Sequence, residues 1–466
     1  MAFRSIVNRK EQFDWILFFS YLGLVSIGLL MIYATTYHDT SGQDIWQIDT
    51  PFGRQLLWAG VSLILLFIVY LVEWQLWESL SLVAYIGGLL MLIALLLVGT
   101  EIKGAKSWLT LGSFSIQPAE FVKFSTCLFV ASFLSPIQIR LREFRIQLAV
   151  FALILIPAFL IILQPDPGSA ITFLSFFILF YRKGLPTFYY VLFISVFLTI
   201  ILSLLFDYQI IISLILYTWL LFLSDVRNLR LSSILVLVTM GLVTAISFRY
   251  EMPAYSIGAN ALACLAYMIR DGNKRSLRNS VTIVAMTICL GLLSFASDYG
   301  FTNLLKPHQQ DRINVWLQPD KCDPRGSLYN LVQSKLAIGS GGFKGKGFLE
   351  GTMTKLNYVP EQSTDFIFST IGEEQGFLGG AGVIILFFIM VMRILQISER
   401  SRHAFIKNYG YGVMGFIFLH FFINIGMTMG ISPVIGIPLP FVSKGGSALM
   451  SFSIMLGVLL KMGRQR

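Results

Sequence analysis

Glu120 and Lys123 stand three residues apart in an otherwise apolar stretch, a spacing that puts both on one face of a helix and lets them neutralise each other. Asp166 sits in Gln164-Pro165-Asp166-Pro167-Gly168, a corner rich in helix breakers. A carboxylate there either caps the helix beginning at Ser169-Ala170 or faces a ligand. Glu373 and Glu374 fall one to two turns inside another apolar run, and Lys444 precedes Gly445-Gly446 at the head of the last one. An ionisable group inside a membrane span costs at least about 2.5–3.5 kcal/mol on insertion scales, so each of these needs a partner or a function. For Glu120 and Lys123 taken alone, an interfacial pair with snorkelling stems accounts for the residues as well as a binding role does.

A second concentration of polar groups lies at 299–365. Its cations are Lys306, Arg312, Lys321, Arg325, Lys335, Lys344, Lys346 and Lys355, and its acids Asp311, Asp320, Asp323, Glu350, Glu361 and Asp365. Loops of this length are usually functional or disordered. Tyr329, Leu331, Val332, Leu336 and Ile338 form an apolar stripe that argues for order. Two readings stand: an ordered cap without chemistry, or a binding surface where membrane meets water. The run Gly339-Ser340-Gly341-Gly342-Phe343-Lys344-Gly345-Lys346-Gly347 has the look of a phosphate loop, but Gly347 follows Lys346 where Ser or Thr is required, which excludes an ATP site. A flexible hairpin, or backbone N–H groups and two lysines meeting a headgroup phosphate, remain.

The elements that must position these groups follow from composition. Of 466 residues, 56% are hydrophobic and only 13% charged; a soluble fold carries roughly twice that charged fraction, about 25%. This excludes a soluble enzyme, a disordered scaffold and a disulfide-stapled secreted domain. Fourteen apolar runs, at 15–35, 55–73, 76–99, 119–135, 148–163, 169–181, 187–206, 208–224, 232–248, 254–269, 280–297, 366–395, 409–429 and 446–461, predict an all-α polytopic integral membrane protein. The first run follows Arg4, Arg9 and Lys10 with no small-residue cleavage site, and reads as a first span and not a removed signal peptide. The net charge of +10 is spread over short loops without a contiguous basic face, so nucleic acid is not an expected partner. The cysteines (Cys127, Cys264, Cys289, Cys322) and histidines (His38, His308, His403, His420) are scattered, giving neither a disulfide framework nor metal-ligand spacing.

Placing the N-terminus in the cytoplasm puts 21 of the 35 Lys+Arg residues on inside segments, as the positive-inside rule expects. Both termini are then cytoplasmic. Residues 299–365 lie outside, with Glu120, Lys123, Asp166, Glu373, Glu374 and Lys444 in the outer half of the membrane, where they could line one cavity. The organisation expected is N-terminal helices 1–186, a helical region 187–298, the long loop 299–365 and C-terminal helices 366–466.

Several stretches match one family. They are Gly104 with Trp108-Leu109-Thr110-Leu111-Gly112; Gln117-Pro118-Ala119-Glu120 and Lys123; Gln164-Pro165-Asp166; Gln310, Arg312, Asp323-Pro324, Gly326, Tyr329 and Gln333-Ser334-Lys335; Gly339-Ser340-Gly341-Gly342, Gly345, Gly347 and Gly351-Thr352; Pro360-Glu361, Thr364-Asp365-Phe366-Ile367-Phe368 and Glu373-Glu374; and Gly436-Ile437-Pro438-Leu439-Pro440-Phe441, Ser443 and Gly445-Gly446-Ser447. The chain resembles the SEDS (shape, elongation, division, sporulation) family of bacterial cell-wall polymerases. The Gly345–Thr352 spacing is similar to its RodA branch more than to its FtsW branch.

The resemblance implies a peptidoglycan glycosyltransferase of the bacterial cytoplasmic (inner) membrane, joining lipid II units into glycan strands during elongation and rod-shape maintenance. Its implied partners are a class B penicillin-binding transpeptidase and elongation-complex membrane proteins. Asp323 corresponds to the family's catalytic acid. The expected substrate-binding residues are Arg312, Lys123, Glu120, Trp108, Asp166, Gln333, Lys335, Asp365 and Glu374, with Arg312 and Lys123 meeting the pyrophosphate. A divalent cation (Mg or Mn) bridging that pyrophosphate to a carboxylate is compatible with this chemistry, though the sequence shows no dedicated metal cage. The family has about ten spans, so about four of the fourteen would be an insertion within 187–298; an even insertion preserves the sidedness of every later span and loop. Ser107, Pro167, Leu328 and Lys444 depart from the residues usual at their motif positions. A lipid II flippase or other transporter, a division-type polymerase and a non-catalytic scaffold are the competing readings.

Overall fold

The computed structural model describes residues 13–39, 46–102, 105–111, 114–136, 141–206, 211–213, 216, 231–249, 259–260, 262–263, 274–305, 307–322 and 326–464. The chain divides into two compact units, Met1–Pro186 with Cys322–Arg466, and Thr187–Lys321. The boundary between them cuts the expected 299–365 loop at Cys322.

The first unit begins with α1 (Trp15–Asp39), α2 (Pro51–Leu71) and α3 (Trp74–Val98), then the strands β1 (Thr100–Ile102), β2 (Ala105–Leu111) and β3 (Phe114–Ile116). It continues through α4 (Pro118–Phe133), α5 (Phe144–Ile162), α6 (Pro167–Ile171), a 3-10 turn at Thr172–Ser175 and α7 (Phe176–Arg182). The second unit holds α8 (Thr187–Leu205), α9 (Leu231–Arg249), α10 (Lys274–Asn303) and α11 (Pro307–Leu317). The first unit resumes with α12 (Ser327–Ser340), α13 (Thr352–Lys355), α14 (Ile367–Arg400), α15 (Ala404–Met429) and α16 (Gly446–Gly463).

Among the described residues eight helices, α1–α3, α5, α8 and α14–α16, are long and apolar enough to cross a bilayer. Twelve of the fourteen expected runs coincide with helical segments; 208–224 and 254–269 lie almost wholly outside the described residues. Residues 100–116 differ from the all-helical expectation. The described residues among them pair as antiparallel strands in the order β1-β2-β3, with Thr100 opposite Trp108 and Thr110 opposite Ser115.

Local chemistry starts and stops the helices where the polar groups are needed. Thr50 caps α2 by accepting from the Gly53 N–H (3.0 Å), with Pro51 at the first helical position. Pro118 and Pro167 open α4 and α6 in the same way. Within the first unit α15 and α16 are central, 72% and 78% buried, whereas α2 and α3 are 22% buried and turn apolar faces outward, as lipid-facing helices do. Gly457 of α16 lies against the Leu66 backbone of α2, where an added Cβ would come within 2.7 Å of the carbonyl oxygen.

One end of this unit is laced by ion pairs: Asp14–Arg393 at 2.7 Å, Glu73–Lys461 at 2.8 Å, and Glu399 held by Arg182 at 2.7 Å and Lys407 at 2.8 Å. Lys183 donates to the Leu134 carbonyl at the close of α4 (2.9 Å). Burial, and then the Lys407 charge beside it, hold its ammonium below the usual lysine range.

Candidate active site

The opposite end of the first unit gathers half of the ten predicted residues, Glu120, Lys123, Asp166, Asp365 and Glu374. Gln117, just before α4, donates its backbone N–H to Ser447 Oγ of α16 (2.9 Å) and its side-chain amide to Asp166 Oδ2 (2.7 Å). Asp166 Oδ1 accepts from the Ser169 N–H (3.1 Å), so this carboxylate caps α6 and also ties it to α4. The starts of three helices are therefore joined through the backbone and side-chain amides of Gln117, the Asp166 carboxylate and the Ser447 hydroxyl.

One turn further along α4, Lys123 Nζ meets Glu120 Oε1 at 2.7 Å, with only 1% and 2% of the two side chains exposed. The same ammonium lies 3.1 Å from His420 Nε2 of α15. Lysine can only donate, so Nε2 is the acceptor and the ring carries its proton on Nδ1, which points at the Pro438 carbonyl (3.3 Å). Glu120 Oε2 is buried without a hydrogen-bond partner. Lys123 is thus engaged from two sides inside the bundle. The expectation that it meets a substrate pyrophosphate directly is not what this geometry shows, because burial and two partners already occupy it. Sequence reasoning set His420 aside as scattered; the overlooked signal was a polar ring inside an apolar span.

The segment between α15 and α16 is fixed from both sides. Asn424 donates to the carbonyls of Asp365 (2.8 Å) and Ile437 (2.7 Å), and Ser443 Oγ to that of Thr364 (2.6 Å). The Lys444 N–H donates to the Ser363 carbonyl (2.9 Å). The half-buried Asp365 carboxylate faces Gly436, whose φ is +81°; an added Cβ there would lie 3.3 Å from Oδ2.

Glu373 organises the glycine-rich run. Its carboxylate accepts from Lys346 Nζ (2.7 Å), the Met353 N–H (2.8 Å), and both the N–H and hydroxyl of Thr354 (2.8 Å each). The Lys346 and Gly347 N–H groups donate to the carbonyls of Glu373 and Glu374 (3.0 Å each), while Phe377 N–H returns to Gly342 O (2.9 Å) where α14 kinks at Gly376. The run is therefore neither a free hairpin nor a phosphate cradle, since these donors and one lysine are spent on α14. Glu374 is 1% exposed; the Leu349 amide faces it without meeting hydrogen-bond geometry, and both its carboxylate oxygens stand without a partner. It lies beneath Gly351, inside the protein and not at a surface open to substrate.

The remaining expected residues are dispersed. Trp108 is half-buried on β2, its carbonyl accepting from Thr100 Oγ1 (2.9 Å). Gln333 is half-buried and Lys335 exposed on α12, the latter with its ammonium end beside Gly430. Arg312 is exposed on α11 of the second unit. Asp323 lies outside the described residues, directly after the buried Cys322. Among the described residues no three His, Cys, Asp or Glu side chains come together to hold a metal ion.

Comparison with known proteins identifies the family of the chain. The FtsW/RodA/SpoVE family model, described as cell cycle protein, matches residues 14–235 and 212–466. The chain is 32% identical over 467 residues to the peptidoglycan glycosyltransferase RodA of Treponema pallidum (strain Nichols), covering 99% of each. It is 28% identical to the peptidoglycan glycosyltransferase MrdB of Escherichia coli (strain K12), covering 98% of this chain and 97% of that one. A solved chain from a peptidoglycan synthase complex that coordinates polymerization and crosslinking superposes with a TM-score of 0.63 at 22% identity, over 97% of this chain and 99% of that one. The chain is a multi-pass bacterial membrane protein and belongs to the FtsW/RodA/SpoVE family of cell cycle proteins, the SEDS family, with a RodA-like leaning.

Proposed function

We propose that this protein is a peptidoglycan glycosyltransferase of the elongation type, polymerising lipid II into glycan strands at the outer face of the cytoplasmic membrane. The observation that carries this reading is the end-to-end match, 32% identical over 99% of both chains, to a relative bearing that name. The geometry supports it. A lattice of charged and amide side chains gathers at one end of the first unit, and ion pairs fill the other, cation-rich end. On the positive-inside rule the cation-rich end is cytoplasmic, both termini with it.

In the reaction the acceptor sugar hydroxyl attacks the donor's anomeric carbon. A C–O bond forms there, the bond to the pyrophosphate breaks, and the pyrophosphate leaves on its lipid. Asp323 receives the hydroxyl proton; a positioned general base contributes typically about 10²–10⁴-fold. Glu120, Lys123 and His420 act as positioning residues: they hold α4 against α15 and the 432–445 segment, so the capped ends that carry Gln117, Asp166 and Ser447 keep their places. Arg312 supplies positive charge for the leaving pyrophosphate. A class B penicillin-binding transpeptidase crosslinks the emerging strands.

Asp323→Ala is expected to insert and purify normally yet to lose glycan synthesis from lipid II in detergent. Strands made at the wild-type rate by that variant would overturn the assignment of Asp323. Detergent offers no second compartment, so synthesis by the unaltered protein also separates this reading from a lipid transporter.

A further inference from the structure

Separate from the Gln117–Asp166 and Glu120–Lys123 groups, a cleft of about 270 Å³ opens where the end of α1 and the start of α2 meet residues 357–363. Its lining is rich in hydrogen-bond acceptors. Thr35 donates its hydroxyl hydrogen to the Ile32 carbonyl (2.9 Å), so what it can offer a ligand is an oxygen lone pair. Gln362 spends its amide N–H groups on the Thr354 carbonyl (3.1 Å) and on Asn357 Oδ1. Its Oε1 has no hydrogen-bond partner although the residue is only 5% exposed. A buried, unsatisfied amide oxygen costs about 1–3 kcal/mol, so this wall of the cleft carries a polar deficit. Glu361 lines the same cleft, accepts from Thr364 Oγ1 (2.9 Å) and stays exposed. Among the described residues no Lys or Arg lines it.

This pattern selects a chemistry. Phosphate, pyrophosphate and carboxylate bring only acceptors and negative charge, which neither the Thr35 oxygen nor any lysine or arginine among the described lining residues receives. A neutral group with several O–H and N–H donors fits. The volume lies just under the roughly 300–1,000 Å³ of drug-sized sites, enough for a sugar residue. Pro51 and Pro360 add an apolar wall for the C–H face of a ring. The shape is held in advance: Asn357 and Glu361 sit at φ +52° and +57°, left-handed conformations that persist only where the surroundings impose them.

We propose that this cleft is a saccharide subsite that binds a pyrophosphate-free hexosamine residue of the glycan strand through its hydroxyl and amide donors. The assignment rests on the proposed glycosyltransferase activity and adds to it a subsite for the strand.

The probe is N,N′-diacetylchitobiose, a neutral disaccharide, titrated into the purified full-length protein in detergent and followed by saturation-transfer NMR. Binding is expected, and Thr35→Val combined with Glu361→Gln should weaken it five- to tenfold, while Thr35→Ser, which keeps the acceptor oxygen, should retain it. A stem pentapeptide with a free amine tests the other source of N–H donors. The subsite is overturned if the disaccharide fails to bind, if the double variant binds as wild type does, if Thr35→Ser loses as much as Thr35→Val, or if only the pentapeptide is affected. Glycan synthesis by the unaltered protein is assayed alongside. Its absence sinks the glycosyltransferase reading whatever the cleft binds, whereas synthesis together with variant-insensitive disaccharide binding sinks the subsite alone.

Discussion

At the scale of single residues the Glu120–Lys123–His420 cluster is the most consequential group. A buried ion pair adds little net stability, but removing one partner leaves an uncompensated charge at a cost of about 3–5 kcal/mol. Lys123→Met should therefore lower the apparent melting temperature of the purified chain more than Glu120→Gln combined with Lys123→Met, because the single change strands the Glu120 carboxylate while the double change removes both charges. Intrinsic fluorescence during a thermal ramp reads the order directly; a double variant less stable than the single would show that the two charges are not one unit. Half of this cluster was legible in the sequence, since positions three apart on one helix must share a face. His420 lies 297 residues from Lys123, and no local spacing encodes a contact made only when α15 packs on α4. Gln117 and Asp166 belonged to recognisable motifs, but that one donates to the other depends on where α4 and α6 begin.

At the scale of elements, the docking of 341–355 onto the kinked start of α14 is the least expected feature. Gly345 has φ +82° and its α-carbon lies against the Glu374 carbonyl, so a side chain there is both strained and obstructed. Gly342 has φ +56° but open space around it, so a side chain there meets only the backbone strain. Gly345→Ala should release the segment, and Gly342→Ala should cost only about 1–2 kcal/mol of left-handed strain. Limited proteolysis between Gly341 and Lys355 measures this: faster cleavage of Gly345→Ala than of Gly342→Ala is the expected result, and equal rates would mean that the close approach does not hold the segment. The helix just before it shows how far pattern reading goes. An apolar stripe at 329–338 correctly announced order, and α12 forms there. The helical repeat then turns Leu331, Ser334 and Ala337 inward and leaves Val332 and Leu336 exposed. The strands at 100–116 escaped because three to seven residues are too few to establish a period against the apolar background.

At the scale of the whole molecule, hydrophobic run length was enough to announce a multi-spanning helical protein, because a bilayer demands long apolar helices. The expected organisation already broke the chain at 186/187, but it ended the intervening helical region at 298, whereas the chain returns to the first compact unit at Cys322. The family model matches as two stretches that overlap at 212–235, inside the second unit, and leaves no residue between 14 and 466 unmatched. The proposed chemistry depends on which end of the first unit faces out. The ion-paired end carries Arg182, Lys183, Arg393, Lys407 and Lys461, and the other carries the Gln117–Asp166 network. Cys322 is buried, so it is a poor reporter of sidedness despite its place beside Asp323. Lys344 and Arg402 are exposed and lie near opposite ends of α14. With Cys264 and the exposed Cys289 replaced by serine, Lys344→Cys should react with a membrane-impermeant maleimide in intact spheroplasts. Arg402→Cys should react only after permeabilisation. The reverse pattern would put the segment after Asp323 in the cytosol, where no strand is built, and the proposed function would fall with it.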